Sequence, residues 1–431
     1  MLHIGIDDTD SLDGGCTTWL ITEIVAELQE LDLIGPPRLV RLNPNVPWKT
    51  RGNGALALVF GQGIGSKETI GEIGGKQISM YSNFRERLFD KKSILDRISK
   101  IVVNNSKEDS QPGIVISDTY LPEGLYWQGV RGLVSQDDLD PILSNCLTFG
   151  LRGSRGLIGA ACALAWSGYH SNPRGLNFTW ELIGYRDKKL WGILRTISSE
   201  SVLQVSKLKG VFSCNDKDGK IAMVPNSPCP VLWGFRGEDS KVLINNFNIL
   251  GPEKPIRWLL YQTNQATDDH FCFSDSLNIE DATSIWIDVK VSSRVEVIKG
   301  GHRFVKVKDF DGKEAKCAIF EPSKNLRNIV DKLVIDDEIT LCGSFSDDTI
   351  NIEKLEITKL APRYSKPPNP MCDCGKRTHS SGKNSKYRCN FCGKKYDRPS
   401  SILKSPNLDL GWFEPPASSR RHLTKPIKLM R

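Results

Sequence analysis

The sequence lacks both a long hydrophobic run and a recognisable leader. Of its 431 residues, 39% are hydrophobic and 25% are charged, and no stretch approaches the roughly 20 apolar residues that a membrane-spanning helix needs. The N-terminus leads straight into a short apolar run, without a basic region or a small-residue cleavage site. These absences argue against a membrane protein or a secreted protein, and they predict a cytoplasmic protein with no membrane partner.

A P-loop for nucleotide phosphates is also absent. Two glycine-rich stretches contain a lysine, 61–67 and 71–76. Neither has the four-residue gap or the Ser/Thr after the lysine that the Walker motif requires. If ATP binds this chain, it does so through another arrangement.

The length and the charge distribution favour several domains with different tasks. A chain of 431 residues is too long for one ordinary core, so two to four domains are expected. The net charge of +7 is unevenly placed, because the first 35 residues are acidic and residues 376–431 are basic. We expect one part that does chemistry with a metal and another that holds a polyanion.

The twelve cysteines fall into eight isolated residues and one cluster near the C-terminus. The cluster consists of Cys372, Cys374, Cys389 and Cys392. Two close pairs separated by fourteen residues are typical of a zinc ribbon, although the first pair is C-x-C rather than C-x-x-C. His379 is a possible substitute ligand. The segment after the ribbon is basic and is interpreted as a disordered tail or as an arm along phosphates.

The densest chemistry lies between residues 7 and 18. Asp7, Asp8 and Asp10 follow an apolar run and precede two glycines and the pair Thr17 and Thr18. Clustered carboxylates need cations, and Mg²⁺ commonly sits between carboxylates and phosphates, with Asp7 and Asp8 as its expected ligands. A helix that begins behind a glycine turn suits phosphate. The alternative is an acidic turn that only caps a helix.

A second candidate segment runs from Lys49 to Gly54. Lys49 and Arg51 supply positive charge, and Gly52, Asn53 and Gly54 let the backbone approach a triphosphate closely. The alternative is a hairpin turn, since Asn-Gly is a strong turn dipeptide. Metal-binding carboxylates and phosphate-binding cations are complementary needs of phosphoryl transfer, so the two segments together favour the functional interpretation.

The hydrophobic pattern divides the chain into regions. In the first region, the predicted elements are strands at 2–6, 38–43, 55–60 and 113–117 and helices at 17–31 and 92–103. In the second, they are a buried helix at 157–166 and strands at 178–185, 190–194 and 221–224. The first pattern indicates an α/β layer, and the second an α+β sandwich.

From about residue 283 the pattern changes to short alternating strands with one interrupting helix, at 324–333. About five strands in under 80 residues are typical of an OB-fold barrel, which commonly binds nucleic acid. Lys306 and Lys308 lie on one face of a predicted strand. The alternative is a plain barrel with solvated lysines.

A polar run, 263–270, closes the second region. Asp268 and Asp269 in this run are able to pair with a cationic substrate, because a carboxylate accepts a guanidinium in bidentate fashion. The alternative is an ordinary surface loop.

In combination these segments resemble the archaeal tRNA(Ile) 2-agmatinylcytidine synthetase family over essentially the whole length. The resemblance rests on residues 5–11 and 16–18, the 49–55 segment, 155–160, 263–270, Gly301-His302, the cysteine pairs and the closing 421–426.

The resemblance implies a multidomain α+β fold. The expected parts are a kinase-like α/β domain at 1–145, a ferredoxin-like domain at 146–280, an OB-fold at 281–361, and a zinc ribbon with a basic tail at 362–431. It also implies an ATP-dependent ligase that attaches agmatine to C2 of the wobble cytidine of the minor CAU-anticodon tRNA(Ile).

The implied chemistry fits the residue inventory. A phosphoryl group placed on the C2 oxygen makes that oxygen a leaving group, and the amine of agmatine then attacks C2. Asp7, Asp8, Asp10, Lys49 and Arg51 would serve the phosphoryl transfer with ATP and Mg²⁺. Thr17 or Thr18 matches a threonine that becomes phosphorylated in the family, and Asp268 and Asp269 are assigned to agmatine. The competing hypothesis is a non-catalytic nucleic-acid-binding protein that works through its OB-fold and ribbon.

Overall fold

The computed structural model describes residues 1–50, 52–169, 177–380, 382 and 385–430. The first region contains β1 (Leu2–Asp7), α1 (Thr17–Glu27), β2 (Asp32–Ile34), β3 (Arg38–Arg41), β4 (Gly54–Ile73), β5 (Lys76–Arg85), α2 (Lys91–Asn105), β6 (Gly113–Ser117), α3 (Glu123–Arg131), α4 (Gln136–Leu143), β7 (Leu147–Gly150) and α5 (Gly156–Ala165). The second contains β8 (Thr179–Tyr185), α6 (Ser199–Ser206), β9 (Val211–Phe212), β10 (Val231–Gly237), α7 (Ser240–Asn246), β11 (Arg257–Thr263) and β12 (Phe271–Phe273).

The third and fourth regions are mostly β-structure. The third contains β13 (Ser284–Val291), β14 (Glu296–Val297), β15 (Arg303–Lys308), β16 (Glu314–Ile319), α8 (Asn325–Val330), β17 (Glu338–Ser346) and β18 (Thr349–Lys359). The fourth contains β19 (Arg363–Ser365), β20 (His379–Ser380), β21 (Tyr387–Arg388), β22 (Lys395–Tyr396), β23 (Ile402–Lys404) and β24 (Gly411–Phe413). Short 3₁₀ helices lie at Lys188–Leu190, Phe247–Ile249, Glu321–Ser323 and Ile427–Leu429.

One large sheet joins the first two regions. Its strand order is β7-β6-β1-β4-β3-β11-β8-β10-β9, with β2 and β5 beside β4. The joining strand is β11, which runs antiparallel to β8 and parallel to β3. Hydrogen bonds therefore connect the two regions directly across the sheet.

Helices cover both faces of this sheet. Successive side chains of β1 point to opposite faces, so each face has buried residues to cover. Leu2, Ile4 and Ile6 of β1 belong to one core cluster, together with apolar residues of α1 and α2. On the opposite face, a Cβ added to Gly5 would lie 2.3 Å from the carbonyl oxygen of Ala160 in α5. This close approach brings the beginning of α5 next to the end of β1, where the acidic turn starts.

The third region is a closed five-stranded barrel, which confirms the OB-fold. The strands follow the order β13-β17-β18-β16-β15, and pairing of β15 with β13 closes the ring. The helix α8 interrupts the strands after β16. Apolar residues that alternate along these strands fill the interior.

Several predicted elements differ from the structure. The strands predicted at 190–194 and 221–224 are wrong: a 3₁₀ turn covers Lys188–Leu190, and Ile221 makes only an isolated bridge with Asn215. The predicted helix 17–31 ends at Glu27. The strand predicted at 55–60 extends through the glycine-rich stretches to Ile73, because β4 forms a long hairpin with β5.

The C-terminal segment packs against the rest of the protein instead of forming a separate tail. Leu423, Thr424 and Lys425 are buried. We call residues 414–430 the C-terminal strap. Within the part of the chain that the structure describes, no helix is long and apolar enough to cross a membrane.

Candidate active site

A cavity of about 460 Å³ lies where the first region, the second region and the C-terminal strap meet. Its walls include the acidic turn, the 49–54 segment, the beginning of α5, strands β8 and β10, and strap residues 417–424. Segments that are far apart in the sequence thus line one cavity.

The acidic turn presents all three aspartates to this cavity. Strand β1 ends at Asp7, and a bridge between Ser11 and Gly14 closes the turn that follows. Asp8 adopts a positive φ of 55°, and its Oδ2 accepts a hydrogen bond of 3.2 Å from the backbone N–H of Gln111. A positive φ is tolerated by Asp better than by most residues.

The carboxylate of Asp7 fits only because α5 begins with glycines. A Cβ on Gly159 would lie 1.8 Å from Asp7 Oδ2. Burial, and next the neighbouring Asp8 carboxylate, raises the pKa of Asp7 to about 8. Burial raises the pKa of Asp8 as well. A divalent cation among these oxygens would relieve the mutual repulsion, so the donor set fits Mg²⁺.

Thr17 and Thr18 begin α1 and line the same cavity. Thr9 Oγ1 donates to Thr17 Oγ1 over 3.2 Å, whereas Thr18 Oγ1 lies 3.0 Å from the Sγ of Cys16. The Tyr261 hydroxyl of β11 donates to the Thr18 carbonyl at 2.9 Å. Strand β11 therefore fixes the start of α1 from the side of the second region.

The 49–54 segment forms another wall. Lys49, Gly52, Asn53 and Gly54 line the cavity, whereas Arg51 lies outside the described residues. Burial lowers the pKa of Lys49, and the positive charge of Arg421 lowers it further. A bound anion would reverse this shift, as expected for a lysine that serves phosphate.

A group of charged and polar residues in the cavity wall was missed by the sequence analysis. Glu181 of β8 pairs with Arg236 of β10 at 2.8 Å, and it lies 3.9 Å from Arg41 of β3. The side-chain amide of Gln265 also donates to Glu181. Burial alone would raise the pKa of Glu181, but the charges of Arg236 and Arg41 outweigh burial and hold this pKa below its usual value. A lone glutamate within an apolar strand was the available signal.

The C-terminal strap was also missed as part of the cavity wall. Arg420, Arg421, His422 and Thr424 line the cavity. The strap is held by Glu353 of β18, which accepts from Thr424 Oγ1 at 2.6 Å and pairs with Arg421 at 3.3 Å. The sequence signal was the combination of polar and apolar residues at 420–426, within the segment that the sequence analysis interprets as a tail or an arm.

Asp268 and Asp269 lie outside the cavity wall and have partners within the chain. Asp268 is 6% exposed and pairs with the Lys354 Nζ of the barrel at 2.5 Å. Asp269 is 2% exposed and accepts a hydrogen bond of 2.6 Å from the Tyr126 hydroxyl. The assignment of agmatine to these carboxylates stays a prediction, and the structure gives it no support.

The four cysteines of the C-terminal cluster come together. The Sγ atoms of Cys372, Cys374, Cys389 and Cys392 all lie within 4.8 Å of one another. Cys372 and Cys392 are 3.2 Å apart and Cys374 and Cys389 are 3.6 Å apart. Tetrahedral zinc with Zn–S bonds of about 2.3 Å separates its sulfurs by about 3.8 Å. The thiols therefore fit a zinc ion, and His379 is not among the clustered ligands.

Family models match three parts of the chain. They are described as the TiaS TCKD domain, which matches residues 3–147, the TiaS FLD domain, which matches residues 154–270, and the TiaS C-terminal zinc ribbon domain, which matches residues 369–405.

Full-length relatives and solved structures agree with these matches. The chain is 35% identical to the tRNA(Ile) 2-agmatinylcytidine synthetase TiaS of Methanosarcina mazei, over 98% of this chain and 96% of the relative. It is 33% identical to that of Methanocaldococcus jannaschii, over 100% and 99%. A crystal structure of TiaS in complex with its isoleucine tRNA and ATP superposes with a TM-score of 0.85 at 30% identity, covering 100% of this chain and 97% of that one. A complex of TiaS with the tRNA, AMPCPP and agmatine gives 0.81 at 28%, with the same coverage.

Proposed function

The chain belongs to the TiaS family of tRNA(Ile) 2-agmatinylcytidine synthetases, and we propose that it attaches agmatine to C2 of the wobble cytidine of the minor isoleucine tRNA at the expense of ATP. One observation carries the proposal. Three aspartates, two threonine hydroxyls, a lysine and a glycine-rich backbone segment line a single cavity. A protein that only binds nucleic acid has no need for this set, and the relatives are named as synthetases.

The first chemical step is phosphoryl transfer to the C2 oxygen of cytosine. We place the triphosphate of ATP between the acidic turn and the 49–54 segment, where the Lys49 side chain and the backbone at Gly52, Asn53 and Gly54 are available to it. Mg²⁺ bound by Asp7 and Asp8 would neutralise the phosphate charge. Asp10 would complete the acidic wall, and Arg51 would add a second cation from the same segment.

The threonine pair has a separate role in this proposal. Thr17 and Thr18 begin a helix at the edge of the cavity, so either hydroxyl is placed to receive a phosphoryl group. We assign the phosphorylated threonine implied by the family to this pair. Their distinct partners, Thr9 for Thr17 and Cys16 for Thr18, allow mutants to separate the two.

The second step is the attack of the agmatine amine on C2, which displaces phosphate. The target base must leave its stack to reach such a cavity. The OB-fold barrel and the zinc ribbon are separate from the cavity wall, and we assign them to holding the tRNA, since phosphate contacts position while a pocket specifies. The domains at 1–145, 146–280, 281–361 and 362–431 remain our proposed division of these tasks. An enzyme with this substrate would work in the cytoplasm, where tRNA matures.

The direct test is mass spectrometry of the wobble nucleoside. Purified protein is incubated with the unmodified minor isoleucine tRNA, ATP, Mg²⁺ and agmatine, and the tRNA is digested to nucleosides. The expected product is cytidine plus agmatine minus one water. Omission of ATP or of agmatine should each abolish it, and an unchanged nucleoside in the complete mixture would contradict the proposal.

A further inference from the structure

His422 is held in the cavity wall by the backbone of the C-terminal strap. Its carbonyl accepts a hydrogen bond of 2.9 Å from the Ala266 N–H, and the next carbonyl, that of Leu423, accepts from the Asp268 N–H at 2.9 Å. Asp268 Oδ1 in turn accepts from the Lys425 N–H at 2.7 Å. The acidic run that the sequence analysis assigns to agmatine thus fixes the strap on both sides of His422, while the side chain of His422 stays open to the cavity.

The hydrogen bonds around His422 determine which ring nitrogen carries the proton. The carboxylate of Glu181 can only accept, so the Gln265 group that faces it is the NH₂ group. The Gln265 Oε1 atom therefore faces the His422 Nδ1 atom, at 2.9 Å. Because this oxygen can only accept, Nδ1 carries the hydrogen. The Nε2 atom of a neutral ring is then left with a free lone pair.

The position of Nε2 places this lone pair beside the proposed phosphate segment. A Cβ on Gly52 would lie 3.3 Å from Nε2 and 3.2 Å from Cδ2 of His422. The positive charge of Arg41, and further that of Arg236, hold the pKa of His422 well below its usual value, so the ring is neutral. Phosphate groups in the cavity would offset both arginines and make Nε2 more basic during the reaction.

Several other groups that could accept a proton in the described cavity wall are engaged in other roles. The three carboxylates of the acidic turn are assigned to the metal and phosphate site. Glu181 is paired with Arg236 at 2.8 Å, and burial raises the pKa of Cys16 to about 11. His422 is the one histidine among the described residues that line the cavity.

We propose that His422 Nε2 accepts the proton that the agmatine amine loses as it adds to C2. This inference rests on the proposed function. In the step, the amine lone pair forms the bond to C2, and the C2–O bond breaks with its electron pair leaving on phosphate. The nitrogen gives one proton to Nε2, and the imidazolium that forms passes it to water.

The test separates the two chemical steps in a single turnover of the full-length enzyme with ³²P-labelled ATP and the minor isoleucine tRNA. In His422→Asn the side-chain amide can still donate to Gln265, but nothing replaces Nε2. Because His422 lies beside the phosphate segment, formation of the labelled phosphoryl-tRNA should slow slightly at most. Its conversion by agmatine should fall by about 10²-fold or more, the usual contribution of a general base, so the intermediate should accumulate.

A matched control distinguishes lost chemistry from a displaced strap. Leu429 anchors the strap against Phe212 and Ala266 but does not line the cavity. Leu429→Ala should therefore keep both steps close to parental. The inference is overturned if His422→Asn converts the intermediate within about threefold of the parental rate, or if it slows both steps equally.

A second readout uses a less basic nucleophile. In the hydrazine analogue of agmatine the nitrogen bound to C2 loses its proton more easily, so the deficit of His422→Asn should shrink. An equal deficit with both nucleophiles would indicate a structural role and overturn the inference. If the parental enzyme yields neither phosphoryl-tRNA nor agmatinylated tRNA, the proposed function fails instead.

Discussion

Two acidic clusters in this protein look alike in sequence and differ in structure. Asp7, Asp8 and Asp10 line a cavity, and the pKa of Asp7 is raised to about 8 by burial and by its acidic neighbour. Asp268 and Asp269 are buried as well, but Asp268 has the Lys354 ammonium at 2.5 Å and Asp269 has the Tyr126 hydroxyl at 2.6 Å. The second cluster is stabilised by the protein itself.

This difference separates architecture from chemistry. A buried carboxylate that is paired within the chain contributes to the fold, and breaking the pair is costly. Carboxylates that lie close together at a cavity instead have raised pKa values while no cation is bound. Groups with such shifted pKa values cluster at functional sites. We therefore expect substitutions in the first cluster to remove activity and substitutions in the second to remove stability.

The largest effect is expected from Asp8→Asn. Asparagine tolerates the positive φ of 55° at this position, so the fold should remain, while the loss of one anionic ligand should lower ATP-dependent modification by about 10³-fold. The measurement is the initial rate of nucleoside modification at saturating ATP, with circular dichroism to check the fold.

Asp13→Asn is the matched control for this substitution. Asp13 belongs to the same turn and carries the same charge, but it is exposed and does not line the cavity. Its activity should stay parental. Equal losses in the two variants would show that the total charge of the turn, rather than the cavity position, matters.

The second prediction concerns Asp268→Ala. This change leaves the Nζ of Lys354 buried without its carboxylate partner. The Lys425 carbonyl at 3.3 Å, the sulfur of Met430 at 3.6 Å and the faces of three aromatic rings are weaker partners for an ammonium. The free energy of unfolding should fall by about 3–5 kcal/mol, as measured by urea titration. At temperatures where the variant is folded, the KM for agmatine should stay parental, and any fall in kcat would reflect the strap, which Asp268 also holds through the Lys425 N–H.

A double variant sharpens this test. Lys354→Met removes the stranded ammonium, so Asp268→Ala/Lys354→Met should recover part of the lost stability. A tenfold or larger rise in the agmatine KM of Asp268→Ala, with unchanged stability, would support the assignment of agmatine to this residue. It would also contradict the distinction between a catalytic and a structural acidic cluster.

The sequence could show the first cluster because its residues are contiguous. Residues 7–18 and 49–54 carry their chemistry within short segments, and β6 (Gly113–Ser117) was predicted with the observed bounds. Arg41, Glu181, Arg236 and His422 come from four distant segments that meet only through the sheet and the strap. No local pattern brings such residues together, so their proximity became visible only in the structure.

Contacts between distant residues also explain why the strand predicted at 190–194 was wrong and why one ion pair was missed. The run 190–194 is apolar, but Ile193 and Leu194 are exposed, and the Ile193 carbonyl accepts from the Arg186 side chain rather than from a neighbouring strand. The ion pair of Asp268 escaped the sequence analysis for a related reason, since its partner Lys354 lies in the barrel, far along the chain. In both cases the outcome depends on a contact between residues that are not neighbours in the sequence.

The third prediction extends the comparison to sulfur. Cys389 belongs to the four-cysteine group whose geometry fits a metal ion, whereas the half-buried Cys146 lies outside this group. Metal analysis should find about one zinc ion per parental chain, much less in Cys389→Ser, and an unchanged amount in Cys146→Ser. A full zinc content in Cys389→Ser would contradict the four-cysteine site.

The last prediction concerns the pH dependence of stability. The pKa of Asp7 rises from 3.8 to about 8 on folding, so between these values the folded state binds more protons than the unfolded state. Stability should therefore fall as the pH rises through this window. Asp7→Asn lacks the titrating group, and its melting temperature in EDTA should fall less between pH 5 and pH 8 than that of the parental protein.

Mg²⁺ binds the deprotonated form of Asp7, so the stabilising effect of Mg²⁺ on the parental protein should grow with pH. Parallel melting curves for the parental protein and Asp7→Asn across this range would mean that Asp7 is as well satisfied as Asp268, and the distinction between the two clusters would fail.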